Sequence, residues 1–165
     1  MMQRQELALI SIINSNIILK SILNKLNYMD LIINDKDAYS EYGVKMGENF
    51  LDSLGGAAPL KDYITNSNRL KNGVSYCKTI PKLNERDITL TFNIEGSSHS
   101  DFITKKKAFY AVLYAGDVNI KVPDNSDEVF HLKYTGRDVS YAQNTLKTFC
   151  KLAVKFKEPD PSNRT

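Results

Sequence analysis

Between Asp87 and Glu95 the chain alternates without a break. Ile88, Leu90, Phe92 and Ile94 are interleaved with Asp87, Thr89, Thr91, Asn93 and Glu95. A period of two places all four apolar side chains on one face of an extended strand and the polar ones on the other. Such a strand belongs to an antiparallel sheet with one face covered and one face wet. Each of the four contributes about 1.5–3 kcal/mol on full burial, before ordering costs. This strand is therefore expected in the core.

Similar but shorter runs flank it. Leu31–Ile33 reads as a brief strand closed by the turn Asn34-Asp35-Lys36-Asp37, and Val44–Met46 as a second. Residues 52–61 read as a Gly/Ala/Pro loop. Tyr63 and Ile64 open a strand that ends at Asn66-Ser67-Asn68, and Asn72-Gly73 signals a tight turn into Val74–Thr79. Further on, Val118, Ile120 and Val122 alternate, as do Phe130, Leu132 and Tyr134. Thr135–Asp138 then predicts a hairpin connection into Val139–Tyr141. A last strand spans Thr148–Lys157, with Cys150, Leu152, Val154 and Phe156 inward. Lys151, Lys155 and Lys157 point outward and discourage edge pairing.

One segment changes period. Phe102, Ile103, Lys106, Phe109, Tyr110 and Leu113 recur at helical spacing, with Ser100 as N-cap, Asp101 in the first turn and Gly116 as the stop. A helix is predicted over Ser100–Ala115. Lysines 105–107 occupy one turn and so face different ways. The sum is a mainly β chain, an antiparallel β-sandwich or partly open barrel with one α-helix across a face or end.

The N-terminal 28 residues stand apart. Residues 7–26 are rich in Ile and Leu, but Asn14, Ser15, Asn16, Lys20 and Lys25 argue against a membrane span. No small-residue cleavage site follows, against a signal peptide. Two readings stay open, an amphipathic arm or helix, and a start-site extension preceding Met29; the second is preferred. The expected organisation is 1–28 as leader or arm, 29–157 as the β domain, and 158–165 as a flexible tail whose two prolines cannot continue a strand.

Chemistry is sparse. With 22 basic and 19 acidic residues the net charge is +3, too balanced for a nucleic-acid-binding face. Cys77 and Cys150 are far apart and read as small buried hydrophobes, with a single disulfide staying open because spacing does not decide it, while His99 and His131 stand alone. No cofactor, metal site or catalytic residue is expected. Gly55-Gly56 and Gly96 lack a phosphate-loop frame. The carboxylate pairs Asp35/Asp37, Glu85/Asp87 and Asp127/Glu128 read as turn residues. Ser97, Ser98, His99 and Asp101 crowd one loop, but neighbours this close in sequence rarely converge as a triad.

Several stretches resemble a known family. Asp30–Tyr39 followed by Tyr42-Gly43-Val44 is similar to an opening "I-N-G-K-D" strand and turn leading into "G-V", with Asp35 in place of the Gly. Asn68-Arg69-Leu70-Lys71-Asn72-Gly73 resembles an "S-R-L-x-x-G" turn. Glu85–Ser98 resembles an "R-x-(apolar)-x-L-x-F-x-I-x-G" strand. The helix with Phe102, Lys106 and Leu113, then Ala115-Gly116, and the ending Phe156–Arg164 follow in the same order. Together they resemble the distal-tail (baseplate ring) proteins of long-tailed phages and prophages, over most of 29–165 and none of 1–28.

That resemblance implies a β-sandwich with one helix that assembles into a ring, commonly a hexamer, at the end of the tail tube, without catalytic residues. Tail-tube, tape-measure or tail-fibre proteins would be its partners, with no membrane and no specific nucleic-acid recognition. The C-terminal carbohydrate-binding or arm-docking domain of many members is not expected within these residues. Loop position alone nominates Gly47–Lys61, Asn66–Gly73 and Thr135–Asp138 as subunit contacts, with Gly47, Asp52, Leu60, Arg69, Asn72 and Arg137 as candidates. Alternatives are a tail-tube or tail-terminator subunit, or a ligand- or carbohydrate-binding β-sandwich of a cell-surface protein.

Overall fold

A computed structural model describes residues 31–136 and 140–165. The leader expected at 1–28 therefore lies outside the described residues. Thirteen elements follow in order: β1 (Ile32–Ile33), β2 (Lys36–Asp37), α1 (Ala38–Tyr42), β3 (Val44–Met46), α2 (Phe50–Gly55), β4 (Thr65–Asn66), β5 (Ser75–Tyr76), β6 (Arg86–Glu95), α3 (His99–Tyr114), β7 (Asp117–Lys121), β8 (Val129–Tyr134), β9 (Ser140–Gln143) and β10 (Phe149–Glu158).

The spine is β6 paired antiparallel with β10 over ten residue pairs, from Phe149 opposite Glu95 to Glu158 opposite Arg86. Their inward rows meet one to one, Cys150 with Ile94, Leu152 with Phe92, Val154 with Leu90 and Phe156 with Ile88. All eight side chains are buried. Eight strands form one antiparallel sheet in the order β2-β1-β7-β8-β10-β6-β3, with β9 also paired to β10. It curls into a half-barrel, the partly open form of the expected fold. Helix α3 packs against β6 and β7, and α2 against β6. Phe92 stands at the centre, its ring 5.3 Å from Phe50, 5.2 Å from Phe109 and 6.2 Å from Phe156.

Several local expectations are corrected. Helix α3 starts one residue early, and its N-cap is Ser98, not Ser100: the Ser98 side chain accepts the Asp101 N–H, and the Asp101 carboxylate reaches back to the Ser97 N–H at 2.8 Å. Gly96 is required just before it, because a Cβ there would lie 2.4 Å from the Phe102 nitrogen. Two further short helices appear. Asp37 caps α1 by accepting the Ser40 N–H, and Gly43 ends it at φ 62°. Residues 52–55, read as loop, belong to α2.

Of the hairpin predicted at Thr135–Asp138 into Val139–Tyr141, residues 137–139 lie outside the described residues, and among the described ones β8 and β9 do not pair with each other. Strands β8 and β9 both run antiparallel to β10, and β6 occupies the other side of β10. They are therefore successive lengths along one edge, Tyr134 opposite Phe156 and Ser140 opposite Ala153. The Asn72-Gly73 turn is also wider than expected. β4 pairs with β5 through Thr65–Tyr76 and Asn66–Ser75, leaving residues 67–74 as the connection. The strands there are two residues each, shorter than the Val74–Thr79 run.

Cys150 is buried as expected, whereas Cys77 is exposed. The segment expected as a flexible tail makes specific contacts: Glu158 ends β10 on its buried face, and Val129 donates its N–H to the Arg164 carbonyl at 3.3 Å.

Candidate functional site

Between α2 and β6 the chain leaves the half-barrel as an arm. Every residue from Pro59 to Glu85 is exposed. The arm holds itself by backbone pairing. Near its root Lys61 donates to the Lys82 carbonyl and Asn84 to the Pro59 carbonyl, each at 2.8 Å. Towards its tip β4 and β5 pair, with the Tyr63 and Tyr76 rings edge to face at 5.7 Å. Asn68 closes the end by accepting the Leu70 N–H on its side chain and the Lys71 N–H on its carbonyl.

Three of its aliphatic side chains stand almost wholly in solvent. Leu70 is 92% exposed, Ile80 87% and Ile64 73%. A two-stranded hairpin with no core of its own is marginal in water, and these three large apolar side chains are left uncovered on it. Charge separates the arm from the body as well. Residues 59–85 hold five basic side chains (Lys61, Arg69, Lys71, Lys78, Lys82) against two acidic (Asp62, Glu85), a net +3. The whole chain also carries +3, so the remainder is formally neutral.

The root is fastened by ions. Arg86, first residue of β6, gives one guanidinium N–H to the Leu54 carbonyl at 3.1 Å and another to the Gly56 carbonyl, the last stations before the arm departs. Its Nε meets the Glu158 carboxylate at 2.8 Å. Arg86 and Glu158 are 5% and 1% exposed. The sequence held a signal for this pair: period two continued one step past Ile88 reaches Arg86, and past Phe156 reaches Glu158.

The nominated contacts divide. Leu60, Arg69 and Asn72 lie on the arm, all exposed. Gly47 and Asp52 do not join them. Gly47 follows β3 with its N–H on the Thr91 carbonyl at 2.7 Å, and a Cβ there would collide with Thr91. Asp52 sits in the first turn of α2. These two line a shallow recess of about 300 Å³ with Met46, Asn49, Phe50 and Leu51. Arg137 lies outside the described residues.

The groups weighed for chemistry are occupied structurally. Asp101 holds Ser97 and pairs with Lys105 at 3.0 Å; the Ser97 N–H, followed by Lys105, keeps its carboxyl below the usual range. His99 contacts the Lys147 carbonyl at 3.0 Å, and His131 bridges Asn119 at 2.8 Å and the Thr165 carbonyl at 3.1 Å. Glu85 and Asp87 both pair with Lys157, Asp127 with Lys121, and Glu128 with Arg164. Among the described residues no group of three His, Cys, Asp or Glu side chains is gathered as a metal site. No helix among them is long and apolar enough to cross a membrane.

No protein-family model matches the sequence, and no curated protein matches it. A solved structure does resemble it, that of SPP1 Dit (gp 19.1), described as a paradigm of the hub adsorption apparatus in Gram-positive infecting phages. The likeness has a TM-score of 0.52 at 14% identity and covers 80% of this chain. It covers 50% of the Dit chain, so the present chain spans about half the length of that protein. At this identity the likeness is one of fold: the half-barrel with its helices is an architecture shared with a phage tail hub protein.

Proposed function

We propose that this chain is a structural subunit of a phage or prophage tail, of the distal-tail type, which joins copies of itself into a ring through its arm. The observation that carries the reading is the exposed, basic arm of residues 59–85, which leaves Ile64, Leu70 and Ile80 uncovered beside a well-buried body. Such a segment gains by docking on a neighbour, and head-to-tail docking of identical subunits closes into a ring when the rotation per step divides a full turn. The shared fold with SPP1 Dit supports the tail setting. The recess at Gly47 and Asp52, after β3 and along the start of α2, is a candidate receiving surface. Tube, tape-measure or fibre proteins would be the further partners, placing the chain in the virion tail after synthesis in the bacterial cytoplasm.

The test is assembly. Multi-angle light scattering across a concentration series should report a discrete oligomer, and negative-stain images should show closed rings. A strict monomer at the highest concentrations, with a folded circular dichroism spectrum, would refute the ring.

A further inference from the structure

The Glu158 carboxylate serves two segments at once. Its Oε2 accepts from Arg86, with Nη2 at 2.7 Å, and Arg86 in turn grips the carbonyls of Leu54 and Gly56 at the arm root. Its Oε1 accepts from Arg164 Nε at 2.9 Å. Arg164 lies over the Phe130 ring at 4.6 Å and reaches Glu128 at 3.3 Å, which seats the C-terminal segment on β8. The two segments also flank one groove of about 620 Å³, lined by Lys61, Leu83 and Asn84 on the arm side and Pro159 and Asp160 on the other.

A buried ion pair is a poor way to gain stability, because desolvating the charges offsets their attraction and an apolar pair of similar size does as well. What an ion network adds is dependence on all its members. The two oxygens of one carboxylate both have donors only while both guanidiniums are seated; with Arg164 gone, Oε1 loses its donor and turns to water, and Arg86 loses a fixed acceptor. We propose that Glu158 couples the arm root to the C-terminal segment, so that release of Arg164 loosens the grip of Arg86 on Leu54 and Gly56. By reciprocity, loosening of the Arg86 grip weakens the seating of residues 159–164 by the same factor. This inference does not depend on the ring, since it concerns contacts within one subunit.

Hydrogen exchange on the full chain tests it. The Lys61 and Asn84 amides report the arm root, and the Leu90 and Leu152 amides report global opening. Arg164→Ala should speed exchange at Lys61 and Asn84 at least about fivefold relative to the core amides, the low end of coupling between linked sites. Arg164→Lys, which keeps a cation for Glu158, should give a smaller change, and the same amides decide the matter if the alanine variant does not fold. Asp160 also feels the charge of Lys61, so Asp160→Asn is the control and should leave the root amides unchanged. Faster exchange confined to residues 159–165, or an effect reproduced in full by Asp160→Asn, would overturn the proposal.

Discussion

Replacing Ile64, Leu70 and Ile80 together by serine separates the arm's two conceivable roles. In the isolated subunit these side chains are 73%, 92% and 87% exposed, so they bury little, and each substitution should change folding stability by no more than about 0.5 kcal/mol. In an assembly that covers them, each would contribute up to about 1.5–3 kcal/mol through lost apolar surface. Ordering each side chain returns about 0.5–1.5 kcal/mol of that. A net of about 1 kcal/mol apiece gives about 3 kcal/mol for the three, or roughly a 100-fold weaker self-association. Sedimentation velocity across a concentration series reads the association, and a urea titration of the same samples reads the fold. An unchanged association constant in a folded variant would remove the arm from the interface. A collapsed urea midpoint would show that these side chains belong to a core.

Three further outcomes follow from the body. Phe92→Ala, at a site with no exposure and three ring neighbours, should lose about 3–5 kcal/mol by urea denaturation; a loss below about 1 kcal/mol would contradict a close-packed centre. Gly96→Ala forces a Cβ to 2.6 Å from the Phe102 Cα and should cost about 1–3 kcal/mol by thermal melting. Gly55→Ala, with nothing within 4 Å of the added carbon, is its neutral counterpart. Under native alkylation followed by mass spectrometry, exposed Cys77 should label readily. Cys150 should resist until the protein unfolds, since burial holds its thiol above the ordinary range; equal labelling would refute the placement of Cys150 on the inner face.

The long elements were legible because they repeat. Four turns of the same alternation in β6 and again in β10 leave no helical alternative, and α3 has enough length for its stripe to show. Helices α1 and α2, of five and six residues, are too short for any period. Only their caps are readable, Asp37 before and Gly43 after for α1. The hairpin misread at Thr135–Asp138 has a different cause. Gly136 between two alternating runs satisfies every local rule for a turn, but which strand each run joins is decided by β10, whose ten residues offer room for both β8 and β9 on one edge. Of the nominated contacts, Leu60, Arg69 and Asn72 fell on the arm because turn chemistry marks projecting segments; Gly47 and Asp52 share that chemistry while packed on the body.

The arm and the core are bound by one sequence rule carried a step too far for apolar residues. In β6 and β10 every second residue faces inward, and four successive pairs obey it with hydrophobes. At the fifth pair the inward positions hold Arg86 and Glu158. Had they been Leu and Val, the strands would pair as well and the desolvation cost would vanish, but no inward side chain there could donate to the Leu54 and Gly56 carbonyls. The exit of the arm would then be left to Ala57, Ala58 and Pro59, none of whose side chains can hydrogen-bond the body. An ion pair at the end of an apolar ladder thus gives a coreless hairpin a defined point of departure. For the proposed docking of the arm on a neighbour, a fixed angle of departure matters more than another increment of stability.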